Sequence, residues 1–117
     1  MEDTGDTNPG LAATSGLLRK QFIKRSLDEI DQMRRCVPQL IKGDAATWQE
    51  VRFGAQRIAA TATSLELGVL AACAQELAKL TDERFAGAKL DAHFLFSVTS
   101  AIEMMAIELN DLAGEIS

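Results

Sequence analysis

The sequence predicts an all-α protein, an antiparallel up-and-down four-helix bundle, and three observations support this fold. Apolar residues recur at intervals of three and four along most of the chain, which is the spacing of a helix face. Helix-forming residue types dominate, while aromatic residues make up 5% of the 117 residues and prolines number two. Turn-forming residues divide the periodic region into four segments, and short connections favour an antiparallel arrangement.

The chain opens with a polar stretch, MEDTGDTNPG, that lacks the basic and apolar regions of a signal peptide. We expect a disordered leader over residues 1–13 and a single bundle domain over residues 14–117. The first predicted helix has an apolar stripe with one interruption, Pro38, which is expected to kink it. That stripe comprises Leu18, Ile23, Leu27, Ile30, Val37 and Ile41.

Junction residues set the limits of the other three predicted helices. Gly43 is predicted to end the first helix and Asp44 to cap the second. The segment TDERFAGAKLD is predicted to connect the third and fourth helices, with Asp91 as the cap of the fourth. The stripes are Trp48, Val51, Ala55, Ile58, Ala62 and Leu65; then Leu67, Leu70, Ala74 and Leu77; then Phe94, Val98, Ala101, Met105, Leu109 and Leu112.

Composition narrows the function classes. The net charge of −5 and the pI of about 4.8 argue against a nucleic-acid partner, which requires a basic surface. No continuous apolar run approaches a membrane span, so we expect no membrane partner and a cytoplasmic location. Cys36 and Cys73 have no metal-ligand spacing and are interpreted as small core residues of a reducing compartment. The sequence predicts neither a cofactor nor a metal site.

The second predicted helix has an unusual outer face. Opposite its buried stripe lie Gln49, Phe53, Gln56, Ala60 and Thr63, where a solvent face normally carries charged residues. Arg52 and Arg57 flank this face on opposite sides. It suits a docking surface with an aromatic residue and a basic rim. Alternatively, Phe53 folds back onto a neighbouring helix and Ala60 is merely a good helix former.

Residues 55–77 resemble the histidine-containing phosphotransfer (HPt) domains of bacterial phosphorelays. The family pattern is close to A-H-x-L-K-G-x-A-x-x-L-G-x-x-x-L, followed by x-x-L-x-x-E-L. This chain reads AQRIAATATSLELGVL and then AACAQEL, without a gap. The first predicted helix and its Gly-Asp junction also resemble the family. The resemblance implies an HPt-like four-helix bundle over nearly the whole chain after the leader.

The chemical positions of the family pattern are not retained. The phosphoaccepting histidine falls on Gln56, the following lysine on Ala59 and the next glycine on Ala60, while the glycine near the end of the motif falls on Glu66. A neutral imidazole attacks an aspartyl phosphate, whereas the amide nitrogen of glutamine has its lone pair delocalised into the carbonyl. Three changes in one patch indicate a site no longer used for phosphotransfer, and hence a protein without enzyme activity.

The resemblance implies a response-regulator receiver domain or a histidine kinase as the partner, with the protein acting as a decoy, scaffold or modulator. The predicted partner surface comprises Arg52, Phe53, Gln56, Arg57, Ala59, Ala60 and Thr63. Arg19, Lys20, Lys24 and Arg25 either complement the acidic pocket of a receiver or form a solvated face.

Two alternatives remain open. His93, the only histidine, is either a relocated phosphoacceptor of an active phosphotransfer protein or a surface residue. The exposed face is otherwise a self-association surface, and we expect a monomer or a weak dimer. The pair Met104 and Met105 is predicted to pack in the core.

Overall fold

The computed structural model describes residues 9–116, with side chains described over residues 16–115, and within this range the secondary structure consists of helices and their connections, with no strand. The predicted all-α class is therefore confirmed. The structure has five helices where four were predicted: α1 Pro9–Arg35, α2 Val37–Ile41, α3 Ala45–Ser64, α4 Gly68–Phe85 and α5 Ala92–Ile116. Residues 1–8 of the predicted leader lie outside the described residues, whereas residues 9–13 belong to α1.

The extra helix results from a break at Cys36, which divides the first predicted helix into α1 and α2. The Cys36 N–H still donates to the carbonyls of Gln32 and Met33, both at 3.1 Å. Pro38 has no N–H, so the carbonyl of Arg34 has no backbone donor four residues further on. The helix is therefore broken for one residue at the predicted position, where Cys36 keeps a helical backbone conformation, and the five-residue helix α2 follows.

The apolar stripe of α1 and α2 is buried only in its middle. Ile23 and Ile30 are buried, whereas Leu18 and Ile41, predicted in the same stripe, are each 54% exposed. The guanidinium Nη2 of Arg19 donates to the carbonyl of Leu65 at 2.9 Å, just beyond the last residue of α3. Residues of α1 that precede Arg19 therefore extend past the end of α3, where no partner helix covers Leu18.

The junction before α3 follows the predicted chemistry. Gly43 has a φ of 78°, in the left-handed region that favours glycine at a helix end. The N–H of Thr47 donates to Oδ2 of Asp44 at 3.0 Å, and Asp44 is therefore the N-cap. The hydroxyl of Thr47 donates to the same oxygen, and this bond together with that of the N–H lowers the pKa of the Asp44 carboxyl by stabilising its charged form.

The predicted stripes of α3, α4 and α5 form the core, except that their last members Leu65 and Leu112 are half-buried. Trp48 is 1% exposed, and its indole Nε1 donates to the carbonyl of Leu40 at 3.1 Å, which joins α3 to α2. Its ring centroid lies 6.0 Å from that of Phe94 on α5. One indole thereby connects three helices through packing and a hydrogen bond.

The helix α4 is longer than predicted, because the TDERF part of the predicted connection is helical and only residues 86–91 connect α4 to α5. Thr81 is buried, and its hydroxyl donates to the carbonyl of Ala78 at 2.6 Å, so its polar group is satisfied within the helix. The chain turns at Gly87, where φ is 108°. Asp91 caps α5 as predicted, with its Oδ1 accepting from the N–H of Phe94 at 2.8 Å.

Each long helix packs against two others: α3 against α4, α4 against α5, α5 against α1, and α1 against α3. The described molecule measures 60 × 26 × 20 Å. Met105 lies in the core, but Met104 is 57% exposed, so the prediction for Met104 was wrong. Adjacent helical residues differ by roughly 100° in direction, and in α5 this turn carries Met104 to the exposed side while Met105 stays on the buried side.

The apolarity of α5 exceeds what the sequence analysis anticipated. Over Ala92–Glu115 the helix is long and apolar enough to cross a membrane, with a mean hydropathy of 1.3, although 39% of its most apolar window is buried in this fold. Ser97, Thr99, Ser100, Glu103 and Glu108 divide α5 into short apolar runs, and so no continuous run in the sequence indicated the apolarity of the whole helix. Length and composition thus fit either a spanning helix or the core helix of this fold, and the burial of its stripe favours the core helix.

Candidate docking surface on α3

Four residues of α3, spaced three or four apart, form an exposed band that we call the α3 stripe: Phe53, Gln56, Ala60 and Thr63. They face away from the buried residues because α3 turns by roughly 100° per residue. Phe53 is 48% exposed, so about half of the ring remains on the surface while the rest packs beside α1. The hydroxyl of Thr63 donates to the carbonyl of Ala59 at 2.8 Å, within its own helix.

Ala59, predicted at the edge of this surface, lies on the inner side of α3. It is 9% exposed and belongs to the hydrophobic core. The methyl group of Ala59 therefore contributes packing rather than contact area for a partner.

Arg52 is held by α4. Its Nε lies 2.9 Å from Oδ1 of Asp82, and its guanidinium carbon lies 5.4 Å from the centre of the Phe85 ring. The ion pair and the cation–π contact together direct this side chain along α4. Arg52 therefore lies at the edge of the candidate surface that faces away from α1, and it pairs with the carboxylate of Asp82 without a well-aligned hydrogen bond from its Nε.

Arg57 is paired on the other side. Its Nη2 donates to Oε2 of Glu29 on α1, although 64% of the arginine side chain remains exposed. The sequence placed both arginines correctly on the two sides of the stripe. It did not reveal their carboxylate partners, because those lie on other helices.

A cleft of about 320 Å³ runs beside the stripe, between α1 and α3. Its apolar lining includes Met33, Val51 and Phe53, and its charged rim includes Glu29 and Arg57. At Gly54 the two helices are so close that an added Cβ would lie 2.8 Å from Cε of Met33. The pattern of α3 alone did not predict the α1 side of this cleft, although Gly54 inside a regular helix was a signal of close approach.

A second groove, of about 230 Å³, continues along the same two helices toward the end of α3. Phe22 and Arg25 of α1 line one wall, and Ala60 and Thr61 of α3 line the other. The candidate surface is therefore wider than one helix face. It comprises the α3 stripe and the α1 side chains that border it.

The other candidate residues lie apart from this surface. His93 is exposed in the first turn of α5, and its carbonyl accepts from the hydroxyl of Ser97 at 3.2 Å. Cys36 and Cys73 are free and half-buried, and burial together with the charge of Glu108 raises the pKa of the Cys73 thiol. Among residues 16–115, His, Cys, Asp and Glu side chains form no group of three or more that is arranged to hold a metal ion.

The arrangement presents an aromatic ring, a primary amide, small residues and paired ions, which suits a recognition surface. Gln56, at the position of the phosphoacceptor in the resembled family, is exposed and its amide nitrogen is not a useful nucleophile. No family model, curated protein or solved structure gave a significant match to this chain.

Proposed function

We propose that this protein is an HPt-like module that binds a receiver domain or a histidine kinase without accepting phosphate. In this proposal α1 and α2 together form the first helix of a four-helix bundle. The order in which the long helices pack, α1 to α3 to α4 to α5 and back to α1, agrees with that arrangement. The module would act as a decoy, scaffold or modulator of a phosphorelay.

The backbone at Glu66 supports the resemblance independently of the buried stripes. Glu66 has a φ of 61°, and among the described residues it is the non-glycine residue in the left-handed region. The family pattern places a glycine at this position, and glycine is the residue that adopts this conformation without strain. A backbone conformation that favours glycine, at the position of the pattern's glycine, therefore supports the proposed resemblance.

One observation carries the functional proposal: Gln56 is exposed in the middle of the α3 stripe, between a half-exposed aromatic ring and the methyl group of Ala60. This position is open to a partner, yet it offers no imidazole for phosphoryl transfer. Ala59 and Ala60 provide no positive charge for phosphoryl oxygens. An exposed surface with an aromatic ring but without an imidazole is consistent with binding a partner without accepting its phosphoryl group.

The test is a panel of purified receiver domains, phosphorylated and unphosphorylated, in which transfer and binding are measured separately. We expect at least one receiver to bind with no phosphate on this protein. Phe53→Glu should weaken that binding at least about tenfold, since a buried aromatic anchor is typically worth 2 kcal/mol or more. Phe96→Glu is the matched control, because Phe96 is a 70% exposed phenylalanine on α5.

Acid-labile phosphate on this protein, lost in His93→Ala, would instead establish active phosphotransfer through His93. A stable dimer in light scattering that dissociates in Phe53→Glu would assign the stripe to self-association. Equal weakening by Phe53→Glu and Phe96→Glu would remove the α3 stripe as the binding surface.

A further inference from the structure

Residues 16–25 of α1 carry a net positive charge, whereas the rest of the chain is acidic. Residues 16–25 contain four cationic side chains and no carboxylate, in a chain whose net charge is −5. We call Arg19, Lys20, Lys24 and Arg25 the α1 basic cluster; all four are exposed. The remainder of the chain is thus more acidic than the chain as a whole.

Among residues 16–115, the α1 basic cluster takes part in none of the ion pairs of the structure. Arg34, Arg52 and Arg57, elsewhere in the molecule, pair with Glu103, Asp82 and Glu29. Within residues 16–115, no carboxylate lies within ion-pair distance of the α1 basic cluster. Arg19 donates to the carbonyl of Leu65, which is a neutral acceptor. A cluster of this kind attracts an anionic surface.

Exposed apolar residues adjoin the cluster. Leu17 and Leu18 are 55% and 54% exposed, and α1 carries no charged residue between Pro9 and Leu18. The bond from Arg19 to Leu65 marks the level at which α3 ends, so both leucines lie on the part of α1 that projects beyond α3. The projecting end of the helix therefore presents apolar side chains directly followed by cations.

We propose that this end of α1 binds the surface of a bilayer that contains anionic phospholipids. The cations would contact the lipid phosphates, and Leu17 and Leu18 would enter the interfacial layer. The attachment is peripheral and requires no spanning segment, and it departs from the expectation of no membrane partner that the apolar runs of the sequence gave.

The shape of the molecule favours a bilayer over an acidic protein. A bilayer with anionic lipids presents a continuous negatively charged plane. It repels the acidic remainder of the protein unless that part stays at a distance from the plane. The molecule is 60 Å long, several times the screening length of about 10 Å at 0.1 M salt, and the cluster lies toward its projecting end. A bilayer also provides an apolar layer in which the two adjacent exposed leucines are buried.

The experiment is sedimentation of the full chain with vesicles of phosphatidylcholine alone or mixed with phosphatidylserine. We expect pelleting with the mixed vesicles at low salt, little with phosphatidylcholine alone, and loss at high salt. Lys20→Glu with Lys24→Glu should lower the apparent affinity at least about tenfold, since each basic residue near an anionic surface contributes roughly fivefold. Leu17→Ser with Leu18→Ser should weaken binding while leaving its salt dependence in place.

The matched control is Lys79→Glu with Lys89→Glu, which makes the same charge change at exposed lysines outside the cluster. Circular dichroism and thermal melting establish that each variant is folded. If the variant with Lys20→Glu and Lys24→Glu does not fold, the variant with Lys24→Gln and Arg25→Gln takes its place. Absence of wild-type pelleting at low salt would overturn the proposal, as would equal loss in the cluster and control variants. Binding to soluble polyglutamate without binding to vesicles would overturn it in favour of an acidic protein partner.

Discussion

At the scale of the single residue, Glu66 has an unfavourable backbone conformation. Its φ of 61° is a conformation that L-residues avoid because Cβ crowds the following carbonyl. It lies between α3 and α4, is exposed, and its N–H donates to the carbonyl of Thr63 at 3.1 Å. The tight α3–α4 connection therefore imposes strain on this one backbone position.

We expect Glu66→Gly to raise the free energy of unfolding by about 1 kcal/mol, because glycine adopts this φ without the steric penalty. Urea denaturation measures the change. Ser64→Gly is the control at the last residue of α3, a helical position where glycine is expected to lower stability instead. An unchanged or lower stability for Glu66→Gly would mean that the backbone at this position is not strained.

At the scale of elements, the approach of α1 to α3 depends on Gly54. It is buried, and its absent side chain leaves room for the ends of Met33 and Glu29, both on α1. The same two side chains line the cleft beside the α3 stripe. The contact of Gly54 with Met33 and Glu29 thus determines both the spacing between α1 and α3 and the shape of the cleft.

We expect Gly54→Leu to lower the free energy of unfolding by about 1–3 kcal/mol, since the side chain must displace Met33 and separate the helices. Gly68→Leu is the control, because a Cβ at Gly68 meets nothing within 4 Å. Thermal and urea unfolding of both variants give the comparison. Similar effects at the two glycines would argue against close packing of α1 on α3.

At the scale of the whole molecule, one surface ion pair joins the first and last long helices. Nη2 of Arg34 lies 2.7 Å from Oε1 of Glu103, and Nε of Arg34 also donates to Oε2 of Glu103 at 2.7 Å. These bonds to Arg34 lower the pKa of the Glu103 carboxyl. A carboxylate with a lowered pKa stabilises the fold above its unfolded pKa, and that contribution is lost as the pH falls through the folded pKa.

We expect Glu103→Gln to lower stability at neutral pH by about 0.2–1 kcal/mol, the range for an exposed pair. The deficit relative to wild type should shrink as the pH falls through the range in which Glu103 is protonated. Urea unfolding at several pH values measures this convergence. Glu83→Gln, an exposed carboxylate with no ion pair among residues 16–115, should show no comparable deficit at neutral pH. A constant deficit for Glu103→Gln at all pH values would contradict the linkage.

Local chemistry was sufficient to predict the buried stripes of the three later long helices and the caps of α3 and α5 from the sequence alone, but not the separate helix α2 or the full length of α4. The stripe of α3, the capping roles of Asp44 and Asp91, and the glycine turn at Gly43 each depend on residues within a few positions of one another. The outward direction of Phe53 and Gln56 also follows from helical geometry. These features required no knowledge of how the helices meet.

The tertiary structure alone decided which residues of the candidate surface are accessible and which charges are free. Ala59 is buried, and Arg52 and Arg57 are paired with carboxylates from α4 and α1. Leu18 is exposed because α1 extends past α3, which periodicity within one helix cannot reveal. Helical periodicity determines the direction in which each side chain leaves its own helix. Burial and ion pairing depend instead on which residues the neighbouring helices place against that side chain.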